Sequence, residues 1–250
     1  MPQSIKTLIF AHRGANTEAA ENTRSAFDRA LEYAIDGMET DVQLSRDEVA
    51  VLWHDRFLGK LGLPDKHIDD FDHAQLQAMN FAAHFSAEAA AEGIMSLKEF
   101  IDAYRSRCRL LIEIKNRDWE LISRHKIKIR KTLELAGVPQ DDRIMISSFN
   151  LASLVCAHRY EQKFPLVYNL EPEQTLDDVR RALVEQSFLN GFCLSIKSLG
   201  EATVRLLRDH GKCIAVYTCN SDEEINKALD LGVDILISDV PQKALQMRDK

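Results

Sequence analysis

Disulfide chemistry has little to work with in this chain. The five cysteines (Cys108, Cys156, Cys193, Cys213 and Cys219) form no CxxC pair, and an odd number cannot all pair within one chain. Several lie in apolar runs, such as Cys193 in GFCLSI, where a free thiol behaves as a small hydrophobe. No apolar run approaches the roughly 18 residues that cross a bilayer, so no stable membrane insertion is expected. The opening MPQSIKTLIFAHRG passes from one lysine into a strand-like run, without the apolar core and small-residue cleavage site of a signal peptide; a cytoplasmic protein is expected. There is no Lys/Arg block interleaved with aromatics, and the formal charge is −7, which argues against nucleic acid as a partner. No low-complexity or Pro/Gly/Ser-rich stretch breaks the 250 residues, so one domain spanning 1–250 is expected. The composition that remains, 45% hydrophobic and 28% charged, is that of a soluble globular chain able to build a sizeable core.

What is present is an alternation of short apolar runs with longer amphipathic ones. Eight runs read as strands: TLIFAH (7–12), METDVQ (38–43), LLIEIK (110–115), RIMISS (143–148), PLVYNL (165–170), GFCLSI (191–196), CIAVYT (213–218) and DILISD (234–239). A further extended piece, VAVLWHD (49–55), is expected to pair beside the second run. Between them lie helical patterns. Phe27, Ala30, Leu31 and Ala34 share a helical face, with Gly37 expected as the C-cap. Ser96 with Glu99, and Ser221 with Glu224, stand at capping-box spacing, and the last of these helices should end on Gly232. The run RHKIKIRK (124–131) reads as a solvated helix face. Strands alternating with helices imply parallel pairing, and eight such units in this length match a (β/α)8 TIM barrel, with a doubly wound open sheet as the rival. Residues 56–95 break the rhythm with only a short helix around 74–79. They read as an insertion between the second and third units, a cap over one barrel end.

In METDVQLS (38–45), Glu39 and Asp41 sit two apart on one strand face, which they share with Gln43. Adjacent carboxylates repel, and burying them unpaired is costly. The barrel reading offers a resolution, because sites in this fold gather at the C-terminal ends of the strands. His12 and Arg13 end the first strand, His54 ends the extension of the second, and Glu113 and Lys115 end the third, again two apart. Three carboxylates, Glu39, Asp41 and Glu113, aimed at one barrel mouth suit a hard divalent cation, Mg2+ or Ca2+. Two imidazoles supply groups that titrate near neutral pH, as acid–base catalysis needs. Arg13 and Lys115 add fixed positive charge for a phosphate. Together these point to hydrolysis of a phosphoryl ester. Taken singly, each residue has an ordinary structural reading: a hydrogen-bonded strand-end histidine, a Glu113–Lys115 ion pair, a solvent-facing Glu39 and Asp41. Seven such residues on adjacent strands at the expected ends argue for a site. His67, His73, His84, His125, His158 and His210 lie in helical or inserted segments and receive no role.

The same residues carry a family resemblance. AHRGANTEAAENT (11–23), METDVQLS (38–45), HD (54–55), LIEIKN (111–116), ISSFN (146–150), VYTCN (216–220) and GVDILISDVP (232–241) resemble, in order, the motifs of the glycerophosphodiester phosphodiesterase family. The resemblance implies a (β/α)8 barrel that hydrolyses glycerophosphodiesters to an alcohol and sn-glycerol 3-phosphate. It implies that Glu39, Asp41 and Glu113 hold the cation, that His12 and His54 are the acid–base pair, and that Arg13 and Lys115 contact the phosphate. Glu21 and Asn22 are expected to shape the first loop and cap its helix. Which histidine is the base, and whether water or the substrate's own glycerol hydroxyl attacks, stays open.

Three positions and one stretch depart from the family pattern. Ala20 stands where proline usually precedes ENT, RFLGKLG (56–62) follows HD in place of an Arg-Thr-Thr-like run, Tyr217 stands for a usual tryptophan, and Met95 for a proline. These touch none of the seven site positions and bear on the leaving alcohol. One rival is therefore a lysophospholipase D-type activity, with RFLGKLGL and NFAAHF (80–85) walling an acyl groove. Another is a catalytically inactive phosphodiester-binding barrel, which would be expected to have lost a ligand or a histidine.

Overall fold

The computed structural model describes residues 6–86, 88–137 and 143–250; the first five residues, part of the stretch read for a leader, lie outside them. Among these residues nine strands form one sheet: β1 (Leu8–His12), β2 (Gly37–Leu44), β3 (Ala50–Leu52), β4 (Arg109–Ile114), β5 (Ile144–Ser148), β6 (Leu166–Asn169), β7 (Gly191–Ser195), β8 (Cys213–Tyr217) and β9 (Ile235–Ser238). β1 pairs in parallel with both β2 and β9, which closes the sheet and removes the open-sheet alternative. Eight parallel strands thus make a (β/α)8 barrel, and β3 lies antiparallel against β2 as the extension of the second unit. Each of the eight apolar runs is one of the parallel strands.

The strands are buried on both faces, and the period of two divides each between two environments. On β4, Leu110, Ile112 and Ile114 face the helices, whereas Leu111 faces the barrel interior. On β1, Ile9 and Ala11 pack outward and Phe10 inward. The interior is floored by Phe10, Leu111, Met145, Val167, Cys193 and Ile235. The helices that cover the outside are α1 (Arg24–Leu31), α3 (Leu97–Tyr104), α4 (Ile122–Ala136), α5 (Leu151–Tyr160), α6 (Leu176–Glu185), α7 (Glu201–Asp209), α8 (Asp222–Asp230) and α9 (Pro241–Arg248), while α2 (His73–Gln77) belongs to the insertion. Capping boxes start α3 at Ser96 and Glu99 and α8 at Ser221 and Glu224, as their spacing predicts.

Three local expectations need correction. Gly37 does not cap α1, which ends at Leu31 with Glu32 as its cap. Gly37 instead opens β2 opposite Phe10, and a Cβ there would stand 2.4 Å from the Phe10 ring. Its lack of a side chain makes room for the largest residue of the barrel floor. The run 124–131 is not wholly solvated, since Lys128 is 1% exposed and its Nζ donates to Glu120 Oε2 at 2.7 Å. Burial pulls this ammonium down to about 8, against the opposing pull of Glu120. A helical charge run can hide one inward position in every turn or so, because four residues complete barely more than one turn. The helix around 74–79 is α2, one position earlier and shorter.

The insertion between β3 and α3 has its own core of Val51, Trp53, Leu58, Ile68, Leu76, Phe81 and Ile94. Trp53 and Phe81 meet edge to face with centroids 5.3 Å apart. Leu58 and Phe81, from the two stretches considered as walls of an acyl groove, are therefore used up in packing the insertion itself.

Gly37→Ala should lower stability by about 1–3 kcal/mol through overpacking against Phe10. Gly59→Ala, whose Cβ would meet only Pro64 Cα at 3.9 Å, should change it little. Urea unfolding of both variants checks this, and equal effects would contradict the assigned role of Gly37.

Candidate active site

Register sets the site. β1 and β2 pair with His12 opposite Glu39, and β2 and β4 pair with Asp41 opposite Glu113. Inward alternation then stacks these side chains above the apolar floor, at the C-terminal end of the barrel. Oxygens of Glu39, Asp41 and Glu113 lie within 4.8 Å of one another, and all three residues are buried. Two cations flank them. Arg13 Nε stands 3.0 Å from Asp41 Oδ2, and Lys115 Nζ stands 2.6 Å from Glu113 Oε1 and 3.4 Å from Asp41 Oδ1.

The balance of charge divides the carboxylates. Burial, with Asp41 adding repulsion, pushes Glu39 well above the usual carboxylate range. Burial works on Asp41 as well, but Arg13 and Lys115 outweigh it and hold Asp41 below that range. Glu39 Oε2 and Asp41 Oδ1 are buried without a hydrogen-bond partner among the described residues. These two orphaned oxygens, grouped tightly with the Glu113 carboxylate, make the oxygen donor set a hard divalent cation takes.

The first loop holds this cluster by adopting costly backbone. Arg13 and Asn22 have φ of 57° and 58°, in the left-handed region, and they are bound to each other by Asn22 N–H donating to Arg13 O at 3.0 Å. Asn22 Nδ2 donates to Asp41 Oδ2 at 3.2 Å while its oxygen accepts from Thr40 Oγ1 at 2.7 Å. Glu21 accepts from Arg13 Nη1 at 3.1 Å and from Lys60 Nζ at 2.8 Å. The expectation that Glu21 and Asn22 cap α1 is thus corrected. Thr23 is the cap, accepting from Ala26 N–H, and its two predecessors orient Arg13 and Asp41.

Each imidazole is tied at Nδ1 to a carboxylate. His12 Nδ1 lies 2.6 Å from Asp239 Oδ1, and His54 Nδ1 lies 2.9 Å from Asp55 Oδ1. The ring of His12 turns its Nε2 toward Glu39 Oε2, 3.8 Å away. Asp55 is further bound by Lys60 Nζ at 3.0 Å, and the backbone carbonyls of His54 and Asp55 accept from Arg117. Gln43, which shares the face of Glu39 and Asp41, donates to Trp53 O at 2.8 Å and Asp55 O at 3.0 Å, and so ties the extension carrying His54 to β2.

Six of the seven residues picked from the sequence (His12, Arg13, Glu39, His54, Glu113 and Lys115) line one cavity of about 210 Å3, floored by Leu111, Cys193 and Ile237. Asp41 lies behind it, 1% exposed. A wider opening of about 660 Å3 continues outward past His54 and Lys115 to Arg117, Phe149 and Glu171. Sequence reasoning quoted Asp55 and Asp239 within motifs but gave no role to them, nor to Lys60 and Arg117. Asp239 ends the DILISD run, so the strand-end rule that found His12 could have found it. Lys60 and Arg117 carry no such signal, because their positions depend on how the insertion and the β4–α4 loop fold back.

A family model described as the glycerophosphoryl diester phosphodiesterase family matches residues 12–243. The chain belongs to that family, which makes it a phosphoric diester hydrolase by kind. A glycerophosphodiester phosphodiesterase of Bacillus altitudinis is 29% identical over 98% of this chain and 99% of its own length. One from Caldanaerobacter subterraneus subsp. tengcongensis is 28% identical over 97% of this chain and 98% of its own. The fold is also that of a phosphodiesterase of Oleispira antarctica, solved in complex with the product sn-glycerol-3-phosphate. That structure superposes with a TM-score of 0.87 at 25% identity, over 99% of this chain and 98% of the other. Among the described residues no helix is long and apolar enough to cross a membrane.

Without divalent cations, the native state keeps a proton on Glu39 that the unfolded chain releases near its ordinary value of 4.5. Stability from this group should therefore be greatest at low pH and decline as pH rises through the raised native value. Glu39→Gln should flatten the decline, as should saturating Mg2+ or Ca2+. Urea unfolding between roughly pH 5 and pH 9 measures both.

Proposed function

We propose that the chain hydrolyses glycerophosphodiesters to an alcohol and sn-glycerol 3-phosphate with the aid of one divalent cation, Mg2+ or Ca2+, using His12 and His54 as the acid–base pair. The observation that carries this reading is the cavity itself. Two imidazoles, each held at Nδ1, and two cations face one small space above three grouped carboxylates. Similarity to a phosphodiesterase solved with sn-glycerol-3-phosphate supports it.

Glu39, Asp41 and Glu113 would hold the cation, and the orphaned oxygens of Glu39 and Asp41 fit it. When bound, such an ion supplies Lewis-acid polarisation of phosphoryl oxygens and neutralises the charge that grows on them. Arg13 and Lys115 attract and orient the diester phosphate. Burial opposes the charge of each, but Asp41 and Glu21 for Arg13, and Glu113 and Asp41 for Lys115, keep both firmly charged. With Nδ1 of each ring committed to a carboxylate, Nε2 is the atom left to exchange protons with substrate. One imidazole takes the proton of the attacking hydroxyl, from water or from the adjacent glycerol hydroxyl. The other gives a proton to the departing alkoxide, so the pair ends with its protons exchanged and the alcohol leaves neutral. Where the glycerol hydroxyl attacks, the cyclic phosphodiester formed is then opened by water with the two roles reversed, giving sn-glycerol 3-phosphate. In-line displacement requires the two rings on opposite sides of phosphorus.

A small head group fits this space better than an acyl chain. Leu58 and Phe81 are committed to the core of the insertion, although Phe57 and Phe85 of the same stretches stay exposed, and the cavity opens toward Arg117, Asn116 and Glu171 beside Phe149 and Leu151.

Purified protein should release glycerol 3-phosphate from glycerophosphocholine and glycerophosphoethanolamine in Mg2+ or Ca2+ and lose the activity in chelator. His12→Ala and His54→Ala should each cut kcat by about 10²- to 10⁴-fold, and Glu39→Gln should abolish cation dependence together with turnover. Faster turnover of lysophosphatidylcholine than of either water-soluble diester would favour the lipid reading instead. Cation binding without release from any of the three would refute catalysis.

A further inference from the structure

The two imidazoles are held in unlike ways. Asp55, behind His54, shares its carboxylate with the ammonium of Lys60. Among the described residues the carboxylate of Asp239, behind His12, meets only neutral amides besides the ring. Its Oδ1 accepts from Asn16 Nδ2 at 2.5 Å and its Oδ2 from Asn220 Nδ2 at 2.6 Å. The amides are themselves fixed. Asn16 Nδ2 also donates to the backbone oxygen of His12 at 3.0 Å, and Asn220 Oδ1 accepts the backbone N–H of Asp239 at 2.9 Å and lies 3.3 Å from the Ser238 hydroxyl. Ser238 in turn donates to Cys219 O at 2.6 Å, and Val240 N–H donates to Ser238 Oγ at 3.0 Å. Three segments far apart in the chain (the loops after β1, β8 and β9) thus close a ring of hydrogen bonds around one carboxylate.

We propose that Asp239 is the positioning residue of His12: clamped by Asn16 and Asn220, it accepts the Nδ1 proton, selects that tautomer, and aims Nε2 at the reacting phosphate. The proposal rests on reading the cavity as a glycerophosphodiester hydrolase site. The geometry of the donors carries it. Asp239 receives three N–H donors on two oxygens, which an ionised carboxylate satisfies and an amide cannot. In one orientation an Asn at 239 turns its NH2 toward Asn220, and in the other toward His12 and Asn16. Asn220 cannot flip to suit it without giving up the Asp239 backbone N–H. Burial works against ionisation of Asp239, but the His12 ring and the two amides outweigh it and keep the carboxylate charged. An unneutralised carboxylate behind the ring also stabilises the imidazolium that forms when Nε2 takes a proton.

Asp239 touches no cation ligand in the structure, so the clamp and the cation site can be probed separately. Asp239→Asn and Asp239→Ala should each lower kcat by about 10²- to 10⁴-fold, the range expected when a general acid–base histidine loses its tautomer or aim. KM and the rise in melting temperature on adding Mg2+ should stay near wild type. In a His12→Ala background the same changes should alter the residual rate by less than about twofold, because a residue acting through His12 has nothing left to act on. A purely structural role would instead subtract the same factor in both backgrounds, and that outcome, or a kcat near wild type in both single variants, would overturn the proposal. The Nδ1 protons of His12 and His54 in the NMR spectrum give a reading independent of turnover. The His12 resonance, assigned by its loss in His12→Ala, should vanish in Asp239→Asn while that of His54 remains. Should wild-type protein show no turnover, the hydrolase reading fails alone, and persistence of the His12 proton in Asp239→Asn then decides against the clamp.

Discussion

Three carboxylates buried within a few ångströms of each other are the constraint around which the rest of this molecule is arranged. Repulsion and lost hydration would drive such a cluster apart. Arg13 and Lys115 offset part of the charge, and they do so unevenly, favouring ionised Asp41 and leaving Glu39 under strain. That imbalance is the electrostatic form of a cation site, since a bound divalent ion would relieve Glu39 and the orphaned oxygens together. The cations that neutralise the cluster are also the ones best placed to receive a phosphate. On the proposed reading, one balance of charge serves both folding and substrate binding.

Holding these groups still requires support from outside the barrel strands. The first loop places Arg13 and Asn22 in left-handed backbone, a conformation that persists only where neighbours over-determine it. Here the neighbours are Asp41, Glu21 and Thr40, so the same bonds that stabilise the strained loop aim its guanidinium. The insertion contributes in the same manner. Its separate aromatic and aliphatic core is anchored beside β2, and Lys60 reaches from it to both Glu21 and Asp55. Gln43 and Arg117 lock the extension that carries His54. Histidine position is thus set by several hydrogen bonds acting together, which is how a site built on loops gains the precision of one built on strands.

Particular residues show where sequence reading succeeds and where it stops. The eight strands were legible because parallel strands buried on both faces write themselves as short apolar runs, a signal local to each segment. Glu39, Asp41, Glu113 and Lys115 were legible because polar residues two apart interrupt those runs on one face. Gly37 was misread, since a glycine after a helical pattern is equally a cap or the first residue of a strand, and only the Phe10 ring opposite it distinguishes the two. Lys128 was misread for a similar reason: whether one position in a charged helix faces inward depends on the partner, here Glu120, that the fold brings to it.

By itself the sequence determined the alternation of strand and helix, the number of barrel units, the place of the insertion and the seven polar residues at the strand ends. Those features rest on periodicity and on interactions a few residues long. Only the tertiary structure decided which of these residues face one another and what stands behind them. Asp239 is 227 positions from His12, yet their side chains meet because β9 closes the barrel against β1. Barrel closure is a property of the whole sheet, so the register that joins its first and last strands, and every contact that depends on it, is written in no local stretch of chain.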